Sequence, residues 1–515
     1  MRQKFAFIFQ ILVLVLFTSF MSGCWLFDDD DSTTTTTDPE PPDAPEALDT
    51  VVSGIILDAS TNLPISSAIT VAVTEEGTAT TKTRSVGGDS VSSFSTSAGF
   101  VSFTIADGTT LPVDFTMTAS GTGYITSASK VAITASGDYS FEIRLTPTTV
   151  DTSGDTIQVN TTTASADNTG ATTAEISVDT STGLGANGDV TITIPSGTVL
   201  RDADGDLVTG NIEVVAAFFS NQDTAVTSAR ESSMNAFPGG INTAQVDTDE
   251  DGTTSAFVSG GFATITIKDD NGNEVTTLSQ PITIVANVPA DTVNTDASPV
   301  AFVQAGDTIP VWSFDESTGE WTLEGNSTLG VLDGGSNTLP ASYDVTHLTS
   351  FNWGYKIDTC NPTFNVPEVS STVDLLWVVQ AKTSGAAGKG FYTSDITTLT
   401  QGTTSVQLTN MPDDIPVNLL ILNSDGTVTF VDNDYSDICT GSNNDISITY
   451  DDSQTYADVT VNVKWACESP LADQTVGVPS TPLALYSTSG STWYGTTNSS
   501  GTYTFSDIPV NAVVS

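Results

Sequence analysis

The chain has 515 residues, with 13 Lys and Arg against 62 Asp and Glu, one His, and a net charge of −49. Such a field repels phosphate backbones, whose binding rests on Lys and Arg contacts, so nucleic acid is not an expected partner. The length implies several domains, and 38% hydrophobic content is enough for β-rich cores.

In chain order, the first element is a leader. Met1 to Lys4 is a short basic head, and Phe5 to Phe20 is almost entirely apolar. That run is shorter than the roughly 20 residues of a membrane-spanning helix. Its layout is that of a secretory signal. It ends in Met21-Ser22-Gly23-Cys24, which resembles the bacterial lipoprotein lipobox, with Met21 where Leu is usual. The resemblance implies cleavage after residue 23 and lipidation of Cys24. Trp25 follows where an Asp would favour the inner membrane, so the expected location is the cell envelope at the outer membrane. Several acyl chains on one cysteine hold firmly, because each buried methylene contributes about 0.8 kcal/mol. Residues 24–50 then read as a tether rich in Asp, Thr and Pro, too poor in apolar residues to offset chain entropy.

From residue 51 the pattern is alternating apolar and polar, punctuated by Gly, Asn-Gly and Asp-Gly. This predicts an all-β chain of serial antiparallel β-sandwiches, transthyretin-like or immunoglobulin-like. The first module, 51–148, carries Gly54, Asp58, Thr61, Pro64-Ile65, Ala68, Gly99-Phe100 and Gly123-Tyr124. In that order these residues resemble the carboxypeptidase regulatory-like domain, a small transthyretin-like sandwich. The alternation agrees, with one face of each strand apolar and the other polar.

Residues 151–358 read as a longer β-rich extracellular region. Ile194-Pro195-Ser196-Gly197-Thr198 opens the match, and Ile309-Pro310-Val311-Trp312 with Asp315, Thr318-Gly319 and Trp321 continues it. His347-Leu348-Thr349 with Phe351-Asn352 completes it. The set resembles regions found beside regulatory-like domains in bacterial surface lipoproteins and in animal cartilage intermediate layer proteins. A second transthyretin-like sandwich is expected at 360–452 and a further one at 457–515. The last stops in or just after a strand, so the sequence is expected to be a fragment.

Four cysteines are present. With Cys24 assigned to lipid, the other three face an oxidising exterior where disulfides persist. Cys360 precedes the second transthyretin-like sandwich and Cys439 lies near its last strand, so that pair is expected. Cys439–Cys467 is the rival, and under the first pairing Cys467 is free or bonded to a cysteine beyond Ser515.

Chemistry is sparse. Any Ser-His-Asp or Cys-His device must use His347, which reads as a structural strand-end residue. One histidine and no paired C-x-x-C spacing exclude the common zinc sites. The best metal candidate is Asp247, Asp249 and Asp251 before Gly252, the first half of an EF-hand-like Ca²⁺ loop. The bidentate Glu is replaced by Val258, and a solvated acidic loop is the favoured reading. Asp202, Asp204 and Asp206 read better as a hairpin turn than as a second cation site. Gly385 to Gly390, "GAAGKG", lacks P-loop spacing. Trp312 and Trp321 are candidates for a sugar platform, with core packing the favoured use.

The expectation is therefore a lipid-anchored, non-enzymatic surface protein with an adhesion, binding or structural role. Its partners would be the membrane through its lipid, and a polysaccharide or another surface protein. The alternatives are a carbohydrate-binding lipoprotein and, behind that, a hydrolase using acidic residues. No cofactor is expected beyond the possible Ca²⁺.

Overall fold

The computed structural model describes residues 49–149, 157–181, 189–221, 233–247, 254–383, 387–423, 428–440, 445–450, 456–466, 475–478, 481–486 and 492–510. The leader, nearly all of the tether, Cys24, Asp249, Asp251 and Cys467 lie outside them. Among the described residues the fold is all-β, with facing sheets and one 3-10 turn, Ser233–Ala236. No helix among them is long and apolar enough to cross a membrane. The described chain divides into two compact units, one of Leu48–Ala457 with Asp507–Val510, the other built on Asp458–Ser506.

The larger unit begins with a sandwich. In one sheet Thr50–Asp58 is central, antiparallel to Phe100–Ile105 and parallel to Gly137–Leu145. In the facing sheet Ile69–Glu75 pairs with Val113–Ser120, which pairs with Ser127–Ile133. Val113, Phe115, Met117 and Ala119 point inward with Val71, Val73 and Phe103. The intervening Thr116 and Thr118 point the other way, as a period of two requires. Full burial of each Phe contributes roughly 1.5–3 kcal/mol.

The middle sandwich sets a seven-stranded sheet against a five-stranded one. The larger sheet runs Ile157–Ala166, Gly210–Phe219, Ala256–Asp269, Ser350–Ile357, Thr308–Asp315, Glu320–Thr328 and Gln245–Val246. The smaller is centred on Thr277–Pro289, which pairs with Val190–Ile194 and Thr338–His347. Val214, Ala216 and Phe218 meet Ile192, Ile265 and Ile284 between the sheets. Val215, Ala217 and Phe219 face the opposite way and are buried too. A strand buried on both faces must be apolar at every position, which accounts for the unbroken run "VVAAFF".

The outer face of the larger sheet shares its core with the third sandwich. That core joins Ile125 and Ala128 of the first sandwich, Phe257, Phe262, Trp312 and Trp321 of the second, and Phe364, Leu375, Trp377, Leu419, Ile421 and Ile448 of the third. The third sandwich is built on Ala387–Leu399, Val373–Lys382, Val417–Asn423 and Val428–Tyr435, in that order. Where the second and third meet, glycine is required. A Cβ on Gly388 would fall 2.1 Å from Val293 Cγ2. One on Gly390, at φ 112°, would fall 2.8 Å from the Ser259 carbonyl oxygen. The Lys389 amide donates to the Asp291 carbonyl at 2.9 Å. Gly388 to Gly390 thus supply a close backbone crossing, the property that makes glycine useful there.

The smaller unit pairs Lys464–Ala466 with Thr475–Gly477 and Pro482–Tyr486 with Thr492–Thr496. Tyr486 and Phe505 are buried in it, and the Thr497 hydroxyl donates to the Val478 carbonyl at 2.6 Å.

Candidate functional site

Cys360 and Cys439 form a disulfide, with Cα atoms 6.0 Å apart. The rival pairing of Cys439 is thereby removed. Cys360 sits in a short strand, Thr359–Cys360, paired with Met411–Pro412. The Cys439 amide donates to the Asp437 carboxylate at 2.8 Å. The bridge thus draws the turn after Met411–Pro412 toward Asp437, and carboxylate oxygens of Asp413, Asp414 and Asp437 lie within 4.8 Å of one another. Burial is the first reason that the Asp413 pKa is raised, followed by the charges of Asp437, Asp414 and Asp358. Hard oxygen donors gathered this way match the chemistry of Ca²⁺. The two sulfurs beside Asp413 are tied up in the bridge and offer no thiolate. This cluster was not read from the sequence, where Asp413 and Asp414 look like a turn and Asp437 stands far away. The one available signal was the expected disulfide, which brings the two segments together.

The acidic loop chosen from sequence is only partly described. Asp247 is exposed, and its amide donates to the Trp321 carbonyl at 3.1 Å. Its two companions are outside the described residues. Asp202 is a hairpin-turn residue, as read. Its carboxylate accepts from the amides of Asp204 and Asp206 at 3.1 and 2.8 Å, and Gly205 completes the turn. Asp167, Asp269, Asp315 and Asp333 cap their own turns in the same way. These five aspartates therefore serve local turn geometry.

His347 is partly exposed, with Nε2 3.5 Å from Glu324 Oε1 and its ring 5.4 Å from that of Phe351. Glu324 also accepts from the Ser313 hydroxyl at 2.7 Å. The carboxylate stands between hydroxyl and imidazole, so the imidazole does not take the serine proton. A triad needs the opposite order. Trp312 and Trp321 are core residues. Their indole N–H groups donate to the carbonyls of Gly354 and Pro238 at 2.9 and 3.0 Å, and Trp321 stacks on Phe237. Neither presents a face for a sugar.

A cavity of about 220 Å³ opens between the loop at Asn242 and the third sandwich. Trp377, Val379, Leu408 and Met411 supply apolar wall, and Asn242, Thr393 and Thr409 supply polar groups. The Trp377 indole N–H is buried and has no hydrogen-bond partner among the described residues. An orphaned buried donor is costly, and a water or a ligand oxygen is the usual remedy.

No family model matches the chain, and no curated protein matches it. Among solved structures, one described as "Trapped Toxin" is 10% identical, with 58% of this chain and 66% of that one covered, at a TM-score of 0.10. Another, the Bacillus anthracis TIE protein, is 8% identical, with 70% and 68% covered, also at 0.10. Similarity at this level carries no argument about fold or function.

Proposed function

We propose that the chain is a lipid-anchored protein of the cell envelope, held at the outer membrane through Cys24, with a structural or binding role. The leader, the lipobox-like ending and the acidic tether support the anchor. The observation that carries the structural role is the core itself. A single apolar cluster runs from Ile125 through Trp321 to Ile448, so three sandwiches pack as one body instead of hanging as separate beads. Such construction suits a protein that must keep its form outside the cell, and a disulfide within it suits an oxidising exterior. Metabolic labelling with a fatty-acid analogue tests the anchor. The parent takes the label and Cys24→Ser does not; equal labelling of both removes the proposal.

A second reading, capture of a polysaccharide, is favoured by the cavity at Trp377. Its volume suits one sugar ring, and its lining pairs apolar wall with amide and hydroxyl groups, the mixture that fixes a small polar ligand. Calorimetric titration of the parent and of Trp377→Phe, which keeps the packing and loses the donor, tests it. Binding in the parent that weakens tenfold or more in the variant supports this reading. Absence of heat across a panel of neutral oligosaccharides rejects it.

A further inference from the structure

The cavity at Trp377 is walled by parts of the middle and third sandwiches, and hydrogen bonds hold those parts in place. On Val373–Lys382, Trp377 and Val379 stand two residues apart and so share a face. Thr393, opposite Val379 on the neighbouring strand, adds a hydroxyl to the same wall. The segment from Leu408 to Met411 forms another side. Asn410, at φ 54°, breaks the strand alternation there, and Leu408, Thr409 and Met411 all reach the cavity. The Leu408 amide donates to the Pro362 carbonyl at 3.0 Å, and the Asn410 amide to the Asn361 side-chain oxygen at 2.9 Å. The Thr254 hydroxyl, from the middle sandwich, donates to the Asn410 side-chain oxygen at 3.0 Å. Asn242 faces them from a turn in which the Thr243 hydroxyl donates to the Gly239 carbonyl at 2.7 Å. A cavity held this way keeps its form before a ligand arrives.

None of the described lining residues is charged, although the chain carries 62 Asp and Glu. A cationic ligand finds no counter-charge there, and an anionic one is repelled by the field of the whole chain. The lining thus suits a neutral ligand. Trp377 is 1% exposed, and its indole N–H has no partner among the described residues. An indole nitrogen donates and cannot accept, so the ligand must bring an acceptor oxygen. Val379, Leu408 and Met411 offer apolar surface, against which a hydroxyl loses its water and gains no partner. Asn242, Thr393 and Thr409 can accept an N–H. An acetamido group meets all three demands in one plane, with a carbonyl oxygen, a methyl and an N–H.

We propose that the cavity takes the acetamido group of an N-acetylated hexose. Its carbonyl accepts from the Trp377 indole, its methyl lies on Val379, Leu408 and Met411, and its N–H turns to the Asn242 and threonine oxygens. The proposal rests on the sugar reading of this cavity and narrows it to one class of sugar. A plain hexose has a hydroxyl where the acetamido group would be, so it brings no methyl to the apolar wall. One methyl group seated in a fitted apolar pocket is worth roughly tenfold or more in discrimination.

Calorimetric titration of the whole chain with the β-1,4-linked tetramer of N-acetylglucosamine, and with the glucose tetramer of the same linkage, tests the proposal. The two sugars differ only in the substituent at C2. The N-acetylated tetramer should bind about tenfold or more tighter, and Trp377→Phe should weaken its binding by roughly tenfold or more. A second readout uses the parent alone: in nitrogen-15 spectra, the Trp377 indole N–H signal should move as the N-acetylated tetramer is added. Equal binding of the two sugars, lost for both in Trp377→Phe, would overturn the proposal and leave the sugar reading standing. Binding of neither would end both. Tighter binding of the N-acetylated tetramer with the Trp377 indole signal unmoved would put that sugar elsewhere and overturn the proposal too.

Discussion

Cys360 and Cys439 are 79 residues apart in sequence, and the bond between them removes loop freedom from the unfolded chain. The chain-entropy relation puts the effect at about 4.5 kcal/mol for a loop of that size. Cys439→Ser should lower the unfolding free energy by roughly that amount, and reductant should lower the parent by a similar amount while leaving the variant unchanged. Denaturant unfolding with and without reductant measures both; a parent insensitive to reductant would contradict the assignment. The pair was legible because the two cysteines bracket one run of strands. The carboxylates it gathers, Asp413, Asp414 and Asp437, were not legible, since their proximity is made by the fold and not by spacing. Nor did spacing separate turn-capping acids such as Asp202 from ligand-type acids. Both present alternate carboxylates beside glycine, and only the hydrogen bonds from Asp204 and Asp206 distinguish them.

At the scale of the element, strands with one polar face were readable and strands with two apolar faces were not. "VTITI", Val190–Ile194, alternates as a half-buried strand must. "VVAAFF" carries no period, because Val214 and Val215 are buried on opposite faces of one sheet. The polar face of Val113–Ser120 misled in another way. Its threonines look solvent-facing, yet they receive the carbonyls of another module's turn. The glycine crossing between the second and third sandwiches is a demanding contact. Gly390→Ala meets a backbone oxygen and a left-handed φ together, and should cost about 2 kcal/mol or more. Gly402→Ala also carries a positive φ, but nothing lies within 4 Å of its Cβ, so it isolates the backbone strain from the clash. Thermal unfolding of the two variants should show the larger loss for Gly390; equal losses would mean that the crossing is not tightly packed.

For the whole molecule, the fold class followed from composition and turn chemistry, while the way the sandwiches share a core did not. The sequence divides naturally near residues 148 and 358, yet Leu48–Ala457 with Asp507–Val510 is one compact unit. Residues that would line the surface of an isolated sandwich, such as Phe257 and Trp321, are wholly buried. Trp321→Ala should therefore destabilise by about 3–5 kcal/mol and should unfold the first three sandwiches in one transition. Separate transitions in calorimetry would contradict the shared core. The role proposed for this body depends on where it is held, and that rests on Cys24. Fractionation of cells expressing the parent and Cys24→Ser measures it most directly. The parent should sit in the envelope fraction, released only by detergent, and the variant should be free of the membrane; a variant that stays in the envelope as firmly as the parent would rule out the anchor at Cys24.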